Sequence, residues 1–313
     1  MNEKTRNQIE EMKKQTIGVE VEMYNITREK AARTIASYFH TEDTVTYIGG
    51  GYYAWGCRDD KGREWKITRD ISIQAARDEE KAELGTPILT YEDIPDLQEI
   101  IRQLRHSGAK SDPSHMCGVH IHIGLNGHTP KSLRNLANIM AGHESLLISA
   151  MRLDSNRIEN YCRTVDPNFL RLLNRKKPRT MEQLADAWYA NYRYESRNAH
   201  YNHSRYRMLN YHACFTHKTI EFRCFQFANS GNGRLGGLHA GELKSYIQLC
   251  LSLSQMAKTA ASASPQEPQH ENPKYAMRTW LLRLGFIGEE FETARDILTK
   301  NLAGDTAFRH GRA

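Results

Sequence analysis

The chain has 313 residues, 39% of them hydrophobic and 26% charged, with a formal net charge of +6. This composition supports a sizeable core and excludes a wholly disordered chain, and no run approaches the roughly 18 apolar residues of a membrane span. The positive surplus favours anionic partners such as nucleotide phosphates, acidic small molecules or nucleic acid, but the basic residues are scattered, and their densest group (Arg171, Arg175, Lys176, Lys177, Arg179) reads as a short loop.

The six cysteines form no CxxC pair, which argues against a zinc ribbon or a thioredoxin-type site. Met1 to Gln15 is polar and carries no apolar leader, so the expected setting is a reducing cytoplasm with free thiols. Residues 2–14 read as a polar helix or loose arm. Thr16 to Tyr24 alternates apolar and polar residues, as a strand does. Thr27 is placed to cap a helix running to His40. Short strands follow at 45–48 and 64–69, with a glycine turn at 49–51 after the first, and then a helix over 90–107. Residues 117–125 (CGVHIHIGL) alternate strictly. One long helix is expected over 130–153.

Residues 154–204 are rich in Tyr, Arg and Asn, with helical pieces near 181–191. Carrying Tyr189, Tyr192, Arg193 and Tyr194, they read equally well as a lid or substrate wall and as an ordinary exposed insertion. Two strands joined by a turn are expected over 206–215 and 218–227, a loop over 230–237 and a helix over 238–261. Residues 262–273, rich in Ser, Pro, Gln and Glu, read as a linker, and two closing helices as a C-terminal segment over 274–313. Residues 1–261 would then be one catalytic domain. Strands and helices mix without a βαβ rhythm, which favours an α+β fold.

Three of these strands carry ionisable groups on one face. In TIGVEVEMY, Glu20 and Glu22 oppose Val19, Val21 and Met23. Two carboxylates at i and i+2 repel unless a cation or solvent relieves them, and a divalent cation suits hard oxygen donors; taken alone, this pair is better explained by an exposed strand face. His120 and His122 share a face in the second strand, suited to metal or phosphate or to hydrogen bonds with neighbours. Glu221 and Arg223 share a face in TIEFRCF, where Arg223 suits a phosphate or carboxylate or a cross-strand ion pair. Sheet faces covered by helices should be apolar, so three charged faces together point to a lined cleft for cations and phosphates.

The motifs Gly18-Val19-Glu20-Val21-Glu22, Glu83-Leu84-Gly85-Thr86-Pro87, Gly118-Val119-His120-Ile121-His122 and Thr219-Ile220-Glu221-Phe222-Arg223 resemble, in order, those of the amidoligase family, within the glutamine synthetase-like carboxylate–amine ligases. The resemblance implies a curved, mainly antiparallel sheet flanked by helices, like the catalytic domain of glutamine synthetase. It implies ATP with Mg2+ or Mn2+, small-molecule or peptide carboxylates and amines as substrates, and an amide or isopeptide product formed through an acyl phosphate. Glu20, Glu22, Glu83, His120 and Glu221 match metal-ligand positions, His122 a position near the ATP phosphates, and Arg223 a phosphate-stabilising arginine. Arg207 and Asn210 lie in RYRMLNYHA, where the family also carries Arg and Asn, which gives Arg207 a catalytic and Asn210 a nucleotide-binding assignment. Trp65, Lys66, Asp70 and Ser72 fall in a shared W-K-x-x-x-D-x-S stretch, with Lys66 assigned to the nucleotide. The alternatives are a phosphotransferase of guanidino-kinase type, a zinc hydrolase built on the two histidines and, ranked last, a basic nucleic-acid-binding protein.

Overall fold

The computed structural model describes residues 2–228, 237–269 and 271–307. The expected loop at 230–237 lies outside the described residues except for Gly237. The chain divides into two compact units: a sheet unit (Thr16–His122 and Phe225–Lys244) and a helical unit (Met1–Gln15, Ile123–Cys224 and Ser245–Ala313). The fold is α+β with mainly antiparallel strands flanked by helices, as expected from the sequence.

In the sheet unit, β1 (Ile17–Met23), β2 (Thr46–Gly49), β3 (Ala54–Arg58), β4 (Glu64–Thr68), β5 (Ala82–Gly85) and β6 (Val119–Gly124, its last two residues passing to the other unit) are ordered β2-β3-β4-β5-β1-β6. The β2/β3, β3/β4, β4/β5 and β5/β1 pairs are antiparallel. Strand β3 was not anticipated. Its Gly56 and Arg58 interrupt the apolar alternation, and its place is set by pairing with β2 and β4.

Helix α2 (Arg28–Phe39) is capped by the Thr27 side chain, which accepts from Lys30 N, and ends at His40 in the left-handed region. It packs on β3, β4 and α3 (Ile94–His106). Val19, Val21, Ile67, Leu84, Ile35, Leu97 and Ile101 are buried in this unit. By strand alternation, covering the apolar face leaves the Glu20–Glu22 face of β1 on the opposite side.

The helical unit contains α1 (Glu3–Lys13), α4 (Pro130–Ala141), α5 (Glu144–Met151), α6 (Ser155–Asn160), α7 (Pro167–Lys176), α8 (Met181–Trp188), α9 (His212–Thr216), α11 (Pro273–Arg283) and α12 (Glu292–Thr299). It also holds β7 (Leu209–Asn210), its partner β8 (Thr219–Phe225) apart from the last residue, and most of α10 (Ala240–Thr259). The expected helix over 130–153 is broken between α4 and α5. A side chain at Gly142 would stand 3.2 Å from Gln266 O and 3.4 Å from Ser264 O, and His143 folds back, with Nδ1 2.8 Å from Ile139 O and its ring stacked on Trp280.

The strand expected over 206–215 is only two residues long. Asn210 Oδ1 accepts from His212 N and turns the chain into α9. The basic group at 171–179, expected as a loop, begins inside α7. Residues 154–204 contribute Arg157, Phe169, Leu173, Leu184, Trp188 and Tyr189 to the buried interior, whereas Tyr194 is fully exposed. All six cysteines are free and buried. Among the described residues no helix is long and apolar enough to cross a membrane.

Candidate active site

The charged face of the sheet unit is built by strand register. Glu22 on β1 stands directly opposite Glu83 on β5, and Glu83 opposite Thr68 on β4, whose hydroxyl donates to Glu83 Oε2 at 3.3 Å. One pleat along, Glu20 pairs with Gly85 and Gly85 with Lys66. A Cβ at Gly85 would find only Lys66 O within 4 Å, so the strip between Glu20 and Lys66 is low and open. Gly18 serves a different purpose: a Cβ there would lie 3.4 Å from His122 Cβ, so the glycine makes room for the histidine on the neighbouring strand.

Strand β6 brings its imidazoles onto the same carboxylates. His120 Nδ1 lies 2.8 Å from Glu20 Oε2, His120 Nε2 3.8 Å from Glu22 Oε1, and His122 Nε2 3.4 Å from Glu20 Oε1. Gly118 N donates to Glu22 Oε2 at 2.5 Å. Burial works to raise the Glu20 carboxyl, but His122 and the hydrogen-bonded His120 outweigh it and hold the group well below the usual carboxylate range. Glu22 and His120 are buried.

Among the described residues of the sheet unit itself, two groups of donor atoms lie within 4.8 Å of one another: Glu20, Glu83 and His120, and Glu22, Asp70 and Glu83. Glu83 belongs to both. One group has a single imidazole and the other has none, a donor chemistry that fits hard, oxygen-preferring cations better than zinc. Asp70 is the residue whose place sequence reading left loosest. The W-K-x-x-x-D-x-S stretch picked it out, but only folding of the 69–81 loop shows it beside Glu22 and Glu83. Its Oδ1 accepts from Ser72 N and Ser72 Oγ, both at 2.6 Å. Trp65 from the same stretch is buried and donates to Asp59 Oδ2 at 3.1 Å. Lys66 is exposed, 3.0 Å from Glu64.

The other expected residues lie in the helical unit. Asn210 pairs with Glu221 across β7 and β8, and its Nδ2 donates to Glu221 Oε2 at 2.7 Å. Arg223 forms an ion pair with Glu221 Oε1, and both are buried. Arg207 is engaged elsewhere. Its guanidinium donates to Asp166 Oδ2 and Thr164 O, both at 2.9 Å, and to the Tyr192 hydroxyl at 3.3 Å. It thereby ties β7 to the 154–204 segment.

Residues 13–254 match the family described as "Putative amidoligase enzyme". The chain belongs to this family. No curated protein matches the amidoligase chain. A bifunctional glutathione synthetase from Pasteurella multocida has a solved structure that is 12% identical, with a TM-score of 0.47 over 96% of this chain; the amidoligase spans 49% of the length of that protein.

Proposed function

We propose that this amidoligase couples ATP cleavage, with Mg2+ or Mn2+, to formation of an amide or isopeptide bond through an acyl phosphate. The observation that carries the reading is the direct opposition of Glu22 and Glu83, with Asp70, Glu20 and His120 close by. Like charges directly opposite in a sheet are destabilising, and a sheet that concentrates them on one face is suited to holding cations. In this reading Glu20, Glu83 and His120 form one holder and Glu22, Asp70 and Glu83 another. A divalent cation bound there supplies charge neutralisation for a transferring phosphoryl group.

The remaining roles belong to the chain itself. His122 hydrogen-bonds phosphate oxygens, and its approach to Glu20 keeps the ring turned toward the charged face. Lys66, across the open strip at Gly85, pairs with a nucleotide phosphate in exchange for Glu64. Arg223 stabilises phosphate, oriented by its ion pair with Glu221. Asn210 orients Glu221 and contacts the nucleotide. Arg207 supports catalysis by holding Asp166 and Tyr192 of the 154–204 segment, which walls the substrate from water. A carboxylate is a poor electrophile. Phosphorylation gives it a leaving group, an amine attacks the acyl carbon, and inorganic phosphate departs. Small-molecule or peptide carboxylates and amines are the substrates of this reading.

The test is product stoichiometry. Incubated with ATP, Mg2+ and a pool of amino acids and short peptides, the wild type forms ADP, phosphate and a new amide in equal amounts. Glu20→Gln forms none. Phosphorylated product without an amide, or amide chemistry independent of ATP, contradicts the proposal.

A further inference from the structure

On β1 the charged face does not end at Glu22. Alternation places Tyr24 on the same side, one pleat or roughly 6.6 Å beyond Glu22, and the antiparallel bridge of Tyr24 with Lys110 keeps the backbone extended there. The Tyr24 ring stacks on His115, with centroids 3.8 Å apart and planes at 12°. Its hydroxyl donates to Asp112 Oδ2 at 2.7 Å. The other oxygen of Asp112 lies 3.0 Å from His115 Nδ1 and also accepts from His115 N and the Ser114 hydroxyl.

Three segments thus hold His115: β1 and the turn at 112–115 meet its ring, through Tyr24 and Asp112, and the loop carrying Asp70 meets its backbone, with Gln74 N donating to His115 O at 3.0 Å. Asp112 is buried, which opposes its ionisation, but Ser114, Tyr24 and His115 hold its carboxyl below the usual range. An ionised carboxylate can only accept, so in the neutral ring Nδ1 is the nitrogen that keeps its proton and Nε2 the one with the lone pair. The ring is 40% exposed. Among the described residues, Asp112, Ser114, Tyr24 and Cys117 face His115 or its backbone, and no partner is found on Nε2.

We propose that His115 is the proton acceptor for the attacking amine, with Asp112 and Tyr24 as positioning residues, an inference that rests on the ligase reading above. An amine reaches the enzyme as an ammonium ion and has no lone pair until it loses a proton. His115 Nε2 takes that proton. The amine then attacks the acyl carbon, the C–N bond forms and the C–O bond to phosphorus breaks. The second nitrogen proton leaves with phosphate as hydrogen phosphate, and His115 returns its own to water.

Hydroxylamine separates this role from a structural one, because it is largely unprotonated at neutral pH and needs no base. With ATP, Mg2+ and a pool of the common amino acids as carboxylates and amines, His115→Gln is expected to lose amide formation by roughly 100-fold or more. It is expected to keep hydroxamate formation within about twofold of wild type. Asp112→Asn shows the same split more weakly. Equal loss of amide and hydroxamate in His115→Gln, or loss of neither, overturns the assignment. A wild type that forms neither product overturns the ligase reading itself, and this inference with it.

Discussion

Glu22 and Glu83 face each other directly across antiparallel strands β1 and β5, with an oxygen of Asp70 within 4.8 Å of both. Opposed like charges cost on the order of 0.2–1 kcal/mol. Glu83→Gln should therefore stabilise the metal-free protein by about that amount. Its ligase activity should fall by at least the roughly 10–100-fold that loss of even an outer-shell metal partner costs. Thermal unfolding in chelator, beside ADP release in Mg2+, gives both signs; a variant less stable and fully active would contradict the assignment.

Glu144 gives the helical unit a pH dependence. Burial pushes its carboxyl up from 4.5 to about 7, against the Val165 N–H that donates to it at 2.8 Å and the charge of Arg207. The folded pKa is raised, so this stability is fully present below pH 4.5. It falls by about 3 kcal/mol as pH rises to about 7, because the unfolded chain ionises first. Urea unfolding from pH 4 to 8 should show this slope in wild type and not in Glu144→Gln, which should be the more stable protein at pH 8.

Arg207 distinguishes a positioning role from contact with a ligand. Its fork serves Asp166, Thr164 and Tyr192, and a lysine cannot reproduce that geometry. Arg207→Lys should lose about 1–3 kcal/mol of stability and be cleaved faster by protease within 154–204. Unchanged stability and proteolysis with lost activity would mean that the guanidinium acts on a ligand.

The charged faces were legible because strand alternation is a local rule: Glu20/Glu22, His120/His122 and Glu221/Arg223 each share a face through their i, i+2 spacing. Thr27 announced α2 in the same local way. What escaped depends on distant groups. The break at Gly142 answers to carbonyls of residues 264 and 266. The two-residue β7 ends because the Asn210 side chain captures His212 N, a choice that hydrophobic alternation does not encode. Asp70 joins Glu22 and Glu83 by the folding of a loop, and Arg207, which stands out only through the RYRMLNYHA segment, is committed to Asp166. Motif spacing picks out the ionisable residues, whereas register and loop closure decide which of them meet.

The claim on which the rest depends is that the sheet face bearing Glu20, Glu22, Glu83 and His120 holds divalent cations for a nucleotide. Calorimetric titration of Mn2+ into the protein, with and without a non-hydrolysable ATP analogue, tests it most directly. Saturable Mn2+ binding that tightens with the analogue and is lost in Glu83→Gln is the expected result. Identical Mn2+ binding by wild type and Glu83→Gln, indifferent to the nucleotide, would contradict it.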